Sequence, residues 1–149
     1  MSVSHFRELE VWKLTMELAA QVYRASATFP KEERYGLCAQ VQRAAVSIPS
    51  NIAEGNARRS TREYARFVSI ASGSTAELQT QLLIAQQLGV GDGDQIERTL
   101  ASCERVSMML LRLHEALEQR LEATAVPGSR VPGPGSRHVS TKRNREPNQ

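Results

Sequence analysis

The 149-residue sequence predicts an all-α fold, an antiparallel up-down-up-down four-helix bundle with a disordered C-terminal tail. Three observations carry that prediction. Apolar residues recur at steps of three and four along four stretches, the connections between those stretches are short, and no stretch alternates as a strand would. With 40% hydrophobic and 5% aromatic residues, the composition suits a single core of aliphatic side chains.

The first helix is expected over about residues 8–28, where Val11, Leu14, Leu18, Val22, Ala25 and Phe29 share a face. Phe29-Pro30 ends it, because the residue before a proline is pushed out of helical dihedrals, and Lys31-Glu32-Glu33 gives the next helix a polar start. The second helix, about 35–54, has the seam Leu37, Val41, Ala44, Ile48, Asn51, Gly55. Its small residues permit close approach of a neighbour, and Pro49 predicts a kink near Ala45–Pro49. Ser60 and Glu63 form a capping box for the third helix, about 60–88, with the seam Tyr64, Phe67, Ala71, Ser74, Leu78, Gln81, Ala85 and Leu88 and a stop at Gly89. The fourth, about 94–122, takes Asp94 as its N-cap and turns Ile96, Leu100, Cys103, Leu110, Leu113, Leu117 and Leu121 inward.

Residues 1–126 therefore form the bundle, and 127–149, with four of the six prolines and no apolar periodicity, form the tail. The split changes the meaning of the net charge of +3. Residues 1–126 hold 14 basic and 15 acidic residues, a net of −1, whereas the tail holds five basic residues against Glu146, a net of +4. Whole-chain basicity is thus no argument for nucleic acid, and only local clusters count; the sparse basic tail reads as a solubilising extension before it reads as an arm for RNA or DNA. The charged N-terminus lacks a signal-peptide core and no apolar run approaches the roughly 20 residues needed to span a bilayer, so a cytoplasmic location with no membrane contact is expected. Cys38 and Cys103 agree with a reducing compartment as small packing residues.

The segments LEVWKLTMELAAQVY and RAAVSIPSNIAEGNARRSTREYARFVSIASGSTAEL resemble the small four-helix-bundle proteins encoded within intervening sequences of bacterial 23S ribosomal RNA genes. The likeness spans Phe6 to Leu121, and its most specific part is SIPSNIAEG followed by arginines and a Tyr-x-x-Phe helix start. The resemblance implies a homopentamer without enzymatic activity. It also implies kinship with the accessory variability protein of diversity-generating retroelements, a basic pentamer that contacts nucleic acid and a reverse transcriptase. The sequence departs from that pattern in its near-neutral core, and the tail lies outside it.

Four arginines, Arg58, Arg59, Arg62 and Arg66, cluster at the connection into the third helix and are the candidate nucleic-acid-binding residues. Guanidinium groups hold phosphate oxygens bidentately and a helix N-terminus adds a favourable dipole. Arg59, Arg62 and Arg66 share a face if the helix extends back that far. The competing and preferred reading is an ion-paired surface at a subunit contact, with Glu54 and Glu63 as partners; only Tyr64 offers a nearby aromatic for base stacking. Asn51 and Glu54 bracket the end of the second helix and read as structural, with Asn51 a candidate register device, as do Pro49, Ser60 and Glu63. Trp12, Met16 and Tyr23 give the first helix more apolar width than one seam requires, which fits an oligomer interface and fits core packing equally well. No metal site, cofactor or catalytic residue is expected: His5, His114 and His138 lack ligand spacing, and no nucleophile elbow or phosphate-cradling loop occurs.

Two functions remain. The first is a non-enzymatic homo-oligomeric scaffold or adaptor, pentameric by resemblance, that binds RNA or DNA through the arginine-rich surface. The second is a protein-only interaction module without nucleic-acid binding, suggested by the charge balance of residues 1–126.

Overall fold

Helix boundaries follow from how each end satisfies its unpaired backbone groups. A computed structural model describes residues 5–125, and among these it contains four α-helices, two 3₁₀ turns and no strand. A 3₁₀ turn, Phe6–Glu8, leads into α1, Glu10–Ser26. The carbonyls at the end of α1 are taken up by hydroxyls, Ser26 Oγ donating to Tyr23 O at 3.1 Å and Thr28 Oγ1 to Ala25 O at 2.6 Å. A second 3₁₀ turn, Lys31–Glu33, precedes α2, Leu37–Ala57, and Glu33 Oε2 caps it by accepting from the Leu37 N–H at 3.2 Å. The α3 helix, Thr61–Leu88, starts at Ser60, whose Oγ accepts from the Glu63 N–H at 3.3 Å. It stops at Gly89, where φ of 67° and the bond from Val90 N to Ala85 O at 2.8 Å make a left-handed cap. The α4 helix, Gly93–Thr124, is capped by Asp92, whose Oδ1 accepts from the Gln95 N–H at 2.9 Å.

Each helix packs on its neighbours in sequence and α4 returns to α1, while the diagonal pairs do not approach. That ring of four is consistent with the up-down-up-down order. The core is aliphatic: Leu18, Ile48, Ile52, Leu78, Leu82, Ile96, Leu110 and Leu117 are fully buried. The buried threonine hydroxyls are satisfied within their own helices, Thr15 to Trp12 O, Thr75 to Ala71 O and Thr99 to Gln95 O, so nonpolar shape fitting dominates the contacts between helices.

The α2–α3 pair is the most extensive, and Gly55 shows why small residues matter there. A Cβ at Gly55 would lie 2.6 Å from Phe67 Cβ and 3.1 Å from Tyr64 Cδ2. At the other end the α3–α4 turn docks on the end of α1. The Asp92 N–H donates to Thr28 Oγ1 at 2.8 Å, and Gly91, at φ 79°, lies so close to Phe29 that a side chain there would collide with the ring.

Several expectations are corrected. The cap of α4 is Asp92 rather than Asp94, because the left-handed Gly91 turns the chain one step earlier. Leu88 is 66% exposed, because the fully buried positions Leu78, Leu82 and Ala85 run towards position 89 and leave Leu88 to one side of the dry face. Thr75 is buried where Ser74 was expected, Ser74 being only half-buried. Phe29 is buried outside the helix that ends at Ser26. The α2 helix runs through Pro49 without ending, and it extends past Glu54 to Ala57. The expected tail lies outside the described residues.

Glycine position decides the sign of the same substitution. Gly55→Ala gains roughly 1 kcal/mol of helix propensity, but overpacking against Phe67 costs about 1–3 kcal/mol, so urea melts should show net destabilisation. Gly73→Ala meets nothing within 4 Å and should stabilise by roughly 0.5–1 kcal/mol. Burial, with the Glu104 charge adding, pushes the Cys103 thiol up to about 12. Its protonated form is therefore held through neutral pH, and stability falls as pH climbs from the ordinary thiol range towards 12, where the unfolded thiol ionises first. At pH 8 a thiol reagent should label at most one cysteine per native chain and both in urea; two labelled in the native state would contradict this.

Candidate nucleic-acid interface

The connection between α2 and α3 is three residues, Arg58, Arg59 and Ser60, and it sets where four guanidinium groups stand. Arg59 takes φ of 57°, the left-handed region that L-residues with side chains avoid. The reason is the adjacent cap: Ser60 must be extended to receive the Glu63 amide, so the preceding residue makes the turn. The α3 helix does not extend back to Arg59, so the condition for Arg59 to share a face with Arg62 and Arg66 is not met. The expected capping box closes only through its Ser60 bond to the Glu63 amide.

All four arginines are exposed, at one end of the bundle. Arg58 Nη2 binds Glu54 Oε1 at 2.9 Å, one turn back on α2. That hydrogen bond holds the Arg58 proton more tightly than in a free guanidinium, with the Glu63 and Glu54 charges adding. Arg59, Arg62 and Arg66 form no ion pair within 4.0 Å among the described residues, and Glu63 reaches Arg58 only through space. The ion-paired surface expected at this end thus forms at one arginine of four.

Phe67 is a feature that sequence reasoning placed only in the core. Its ring is 6% exposed, and both Arg58 Cζ, at 5.2 Å, and Arg66 Cζ, at 5.1 Å, lie over it. A ring face attracts cations, so Phe67 orients two guanidiniums, one from the connection that follows α2 and one from α3. Arg66 beside Phe67 was visible in the sequence, but the approach of Arg58 depends on Gly55 letting α2 close on α3. Tyr64 stands in the same turn. Its buried hydroxyl has no hydrogen-bond partner within 3.5 Å among the described residues, and burial raises the phenol above its ordinary value, offset in part by the nearby Asn56 side chain and the Arg120 charge. Arg120 of α4 is therefore a neighbour of this end that α3 periodicity could not reveal.

The candidate structural residues behave locally. The Asn51 amide donates to Ser47 O at 2.7 Å, within its own helix, so this bond sets no register between helices. Beside it Ser47 Oγ donates to Ala44 O and Ser50 Oγ to Val46 O, placing three side-chain donors around the turn that Pro49 deprives of an N–H.

Of the candidate interface residues, Trp12 and Met16 line an apolar groove of about 320 Å³ between α1 and α2, with Phe6, Ala19, Val46, Pro49 and Ala53 on its walls. Phe6 packs edge-on against Trp12, ring centres 5.3 Å apart. Tyr23 is 49% exposed but lies outside the groove. Phe6 and Val46 were missed because neither extends a helical seam. A second set of exposed apolar residues, Ile70, Leu83 and Ile84 on α3 with Met108 and Leu111 on α4, was also not expected.

Among the described residues no cluster of His, Cys, Asp or Glu could hold a metal ion, and no helix is long and apolar enough to cross a membrane. The family model described as 23S rRNA-intervening sequence protein matches residues 7–112. The chain belongs to that family. The matched region of this intervening-sequence protein runs from the first 3₁₀ turn into α4, and it includes the whole α2–α3 connection with its four arginines. A search of curated proteins gives no match.

Replacing Arg59 by glycine relieves the left-handed strain, worth roughly 1 kcal/mol. Arg59→Gly should raise the urea midpoint, whereas a lower midpoint would show that the arginine side chain stabilises the turn.

Proposed function

We propose that this family member is a non-enzymatic, homo-oligomeric helical scaffold that binds RNA or DNA through Arg58, Arg59, Arg62 and Arg66. The observation carrying this reading is that four exposed guanidiniums crowd one connection at the N-terminus of α3 while a single carboxylate neutralises one of them. Phosphate oxygens would supply the missing counter-charges, and the α3 dipole favours them there. The Phe67 ring supports the reading further by limiting the freedom of Arg58 and Arg66, so less entropy is lost when a phosphate binds.

Self-association is supported by the α1–α2 groove, with exposed Met16 and Val46 along it, and by exposed Tyr23 further along α1. Five copies are the expected number. A protein-only interaction module is the second reading; the Arg58–Glu54 pair and the balanced charge of residues 1–126 favour it.

A mobility-shift series with structured RNA separates the two. Under the first reading the parent protein retards RNA at low salt, affinity falls steeply as salt rises, and changing all four arginines to alanine abolishes retardation. Under the second no retardation occurs and the same variant disturbs assembly. Light scattering should return about five times the chain mass of 16.5 kDa, and a monomer would remove the oligomer from the proposal.

A further inference from the structure

The opposite end of the bundle carries a second set of arginines without carboxylate partners. A groove of about 420 Å³ opens where the end of α1 meets the start of α4, lined by Gln21, Arg24, Ala27, Gln95, Arg98 and Thr99. It is independent of the Arg58–Arg66 cluster. The continuous α3 helix separates the two ends, and its 28 residues at 1.5 Å each span about 42 Å.

The lining has the chemistry of an anion site. Arg24 and Arg98 come from different helices, both are exposed, and neither meets a carboxylate within 4.0 Å among the described residues. This holds although Asp94 and Glu97 lie in the same part of α4. Because both arginines line the same groove, an anion held in it can meet a guanidinium from each helix. Thr99 does not compete, because its buried hydroxyl is committed to Gln95 O at 2.7 Å. The side-chain amides of Gln21 and Gln95 are half-buried at the groove and make no hydrogen bond to the described residues, leaving donors and acceptors for a larger ligand. The volume exceeds that of a bare oxyanion and falls in the range of small-molecule sites.

We propose that this groove binds a phosphate ester, with Arg24 and Arg98 clamping the phosphate and Gln21 and Gln95 hydrogen-bonding the group that bears it. The phosphate belongs either to a free small molecule or to a nucleic-acid strand, and the probes below distinguish these sources. Calorimetric titrations of the full chain use adenosine monophosphate and a single-stranded RNA oligonucleotide. They are run on the parent, on Arg24→Gln/Arg98→Gln, and on the variant with Arg58, Arg59, Arg62 and Arg66 changed to alanine. Both substituted sets are exposed, so cooperative thermal melts should confirm folding. The proposal expects Arg24→Gln/Arg98→Gln to weaken the mononucleotide by at least roughly tenfold, the loss of charge-assisted bonds, with the four-arginine variant unchanged. If only RNA binding weakens in Arg24→Gln/Arg98→Gln, the groove takes its phosphate from a strand and the proposal stands with that source. Equal binding of both probes to the parent and to Arg24→Gln/Arg98→Gln would overturn it, as would binding of neither probe. Loss of RNA binding confined to the four-arginine variant, with mononucleotide binding unchanged in Arg24→Gln/Arg98→Gln, would support the other end alone and overturn this site.

Discussion

The close approach of α2 and α3 at Gly55 is the constraint on which the arginine-bearing end depends. With no Cβ at position 55, the chain of α2 settles against Phe67 at a distance that any other residue would obstruct. The two helices are then near enough to be joined by three residues, and the ring of Phe67 is near enough to the end of α2 to lie under Arg58 as well as Arg66. Nonpolar packing thus determines where the charges stand. The left-handed Arg59 is part of the same solution, since an extended Ser60 cap and a three-residue connection leave the reversal to that position.

The other end is held by a different device with a similar result. Gly91 and Asp92 bring the α3–α4 turn onto Phe29 and Thr28, which closes the ring of helices by fixing the start of α4 against the end of α1. The cleft between Arg24 and Arg98 follows from that closure: an exposed arginine on each helix is carried to one opening, and burial of Thr99 gives the opening a neutral floor. Apolar contact at both ends, rather than ion pairing, brings cations together. Among the described residues Lys13–Glu10 and Arg58–Glu54 are ion pairs, and His114–Glu118 becomes one when the imidazole is protonated; each joins exposed or half-exposed side chains three or four residues apart, where such pairs add little stability.

Much of this was legible in the sequence, and the parts that were not share a physical cause. Val11, Leu18, Val22, Val41, Ile48, Phe67, Leu78 and Leu110 were placed by periodicity and are buried, because three-four spacing directly encodes which side of a helix is dry. The Ser60 cap was legible from its spacing to Glu63, and it should have excluded Arg59 from the helix face, since an N-cap and a preceding helical residue are incompatible. Asp92 and Asp94 are equally good caps by composition; Thr28, more than sixty residues away, distinguishes them by accepting the Asp92 amide. Leu88 fits the expected seam, yet the fully buried positions Leu78, Leu82 and Ala85 step towards position 89, so Leu88 falls beside the dry face rather than on it. The sharing of Phe67 by Arg58 and Arg66 and the meeting of Arg24 with Arg98 are contacts between helices, and no single-helix pattern contains them.

The central claim is that packing, and not charge alone, presents the arginines of the α2–α3 end. Phe67→Leu keeps every arginine and the hydrophobic contact with α2 but removes the ring face beneath Arg58 and Arg66. The most direct test is the RNA affinity of this variant at one fixed low salt concentration, measured after its thermal unfolding is shown to remain cooperative. The account predicts several-fold weaker binding at unchanged net charge; an affinity equal to that of the parent would contradict it.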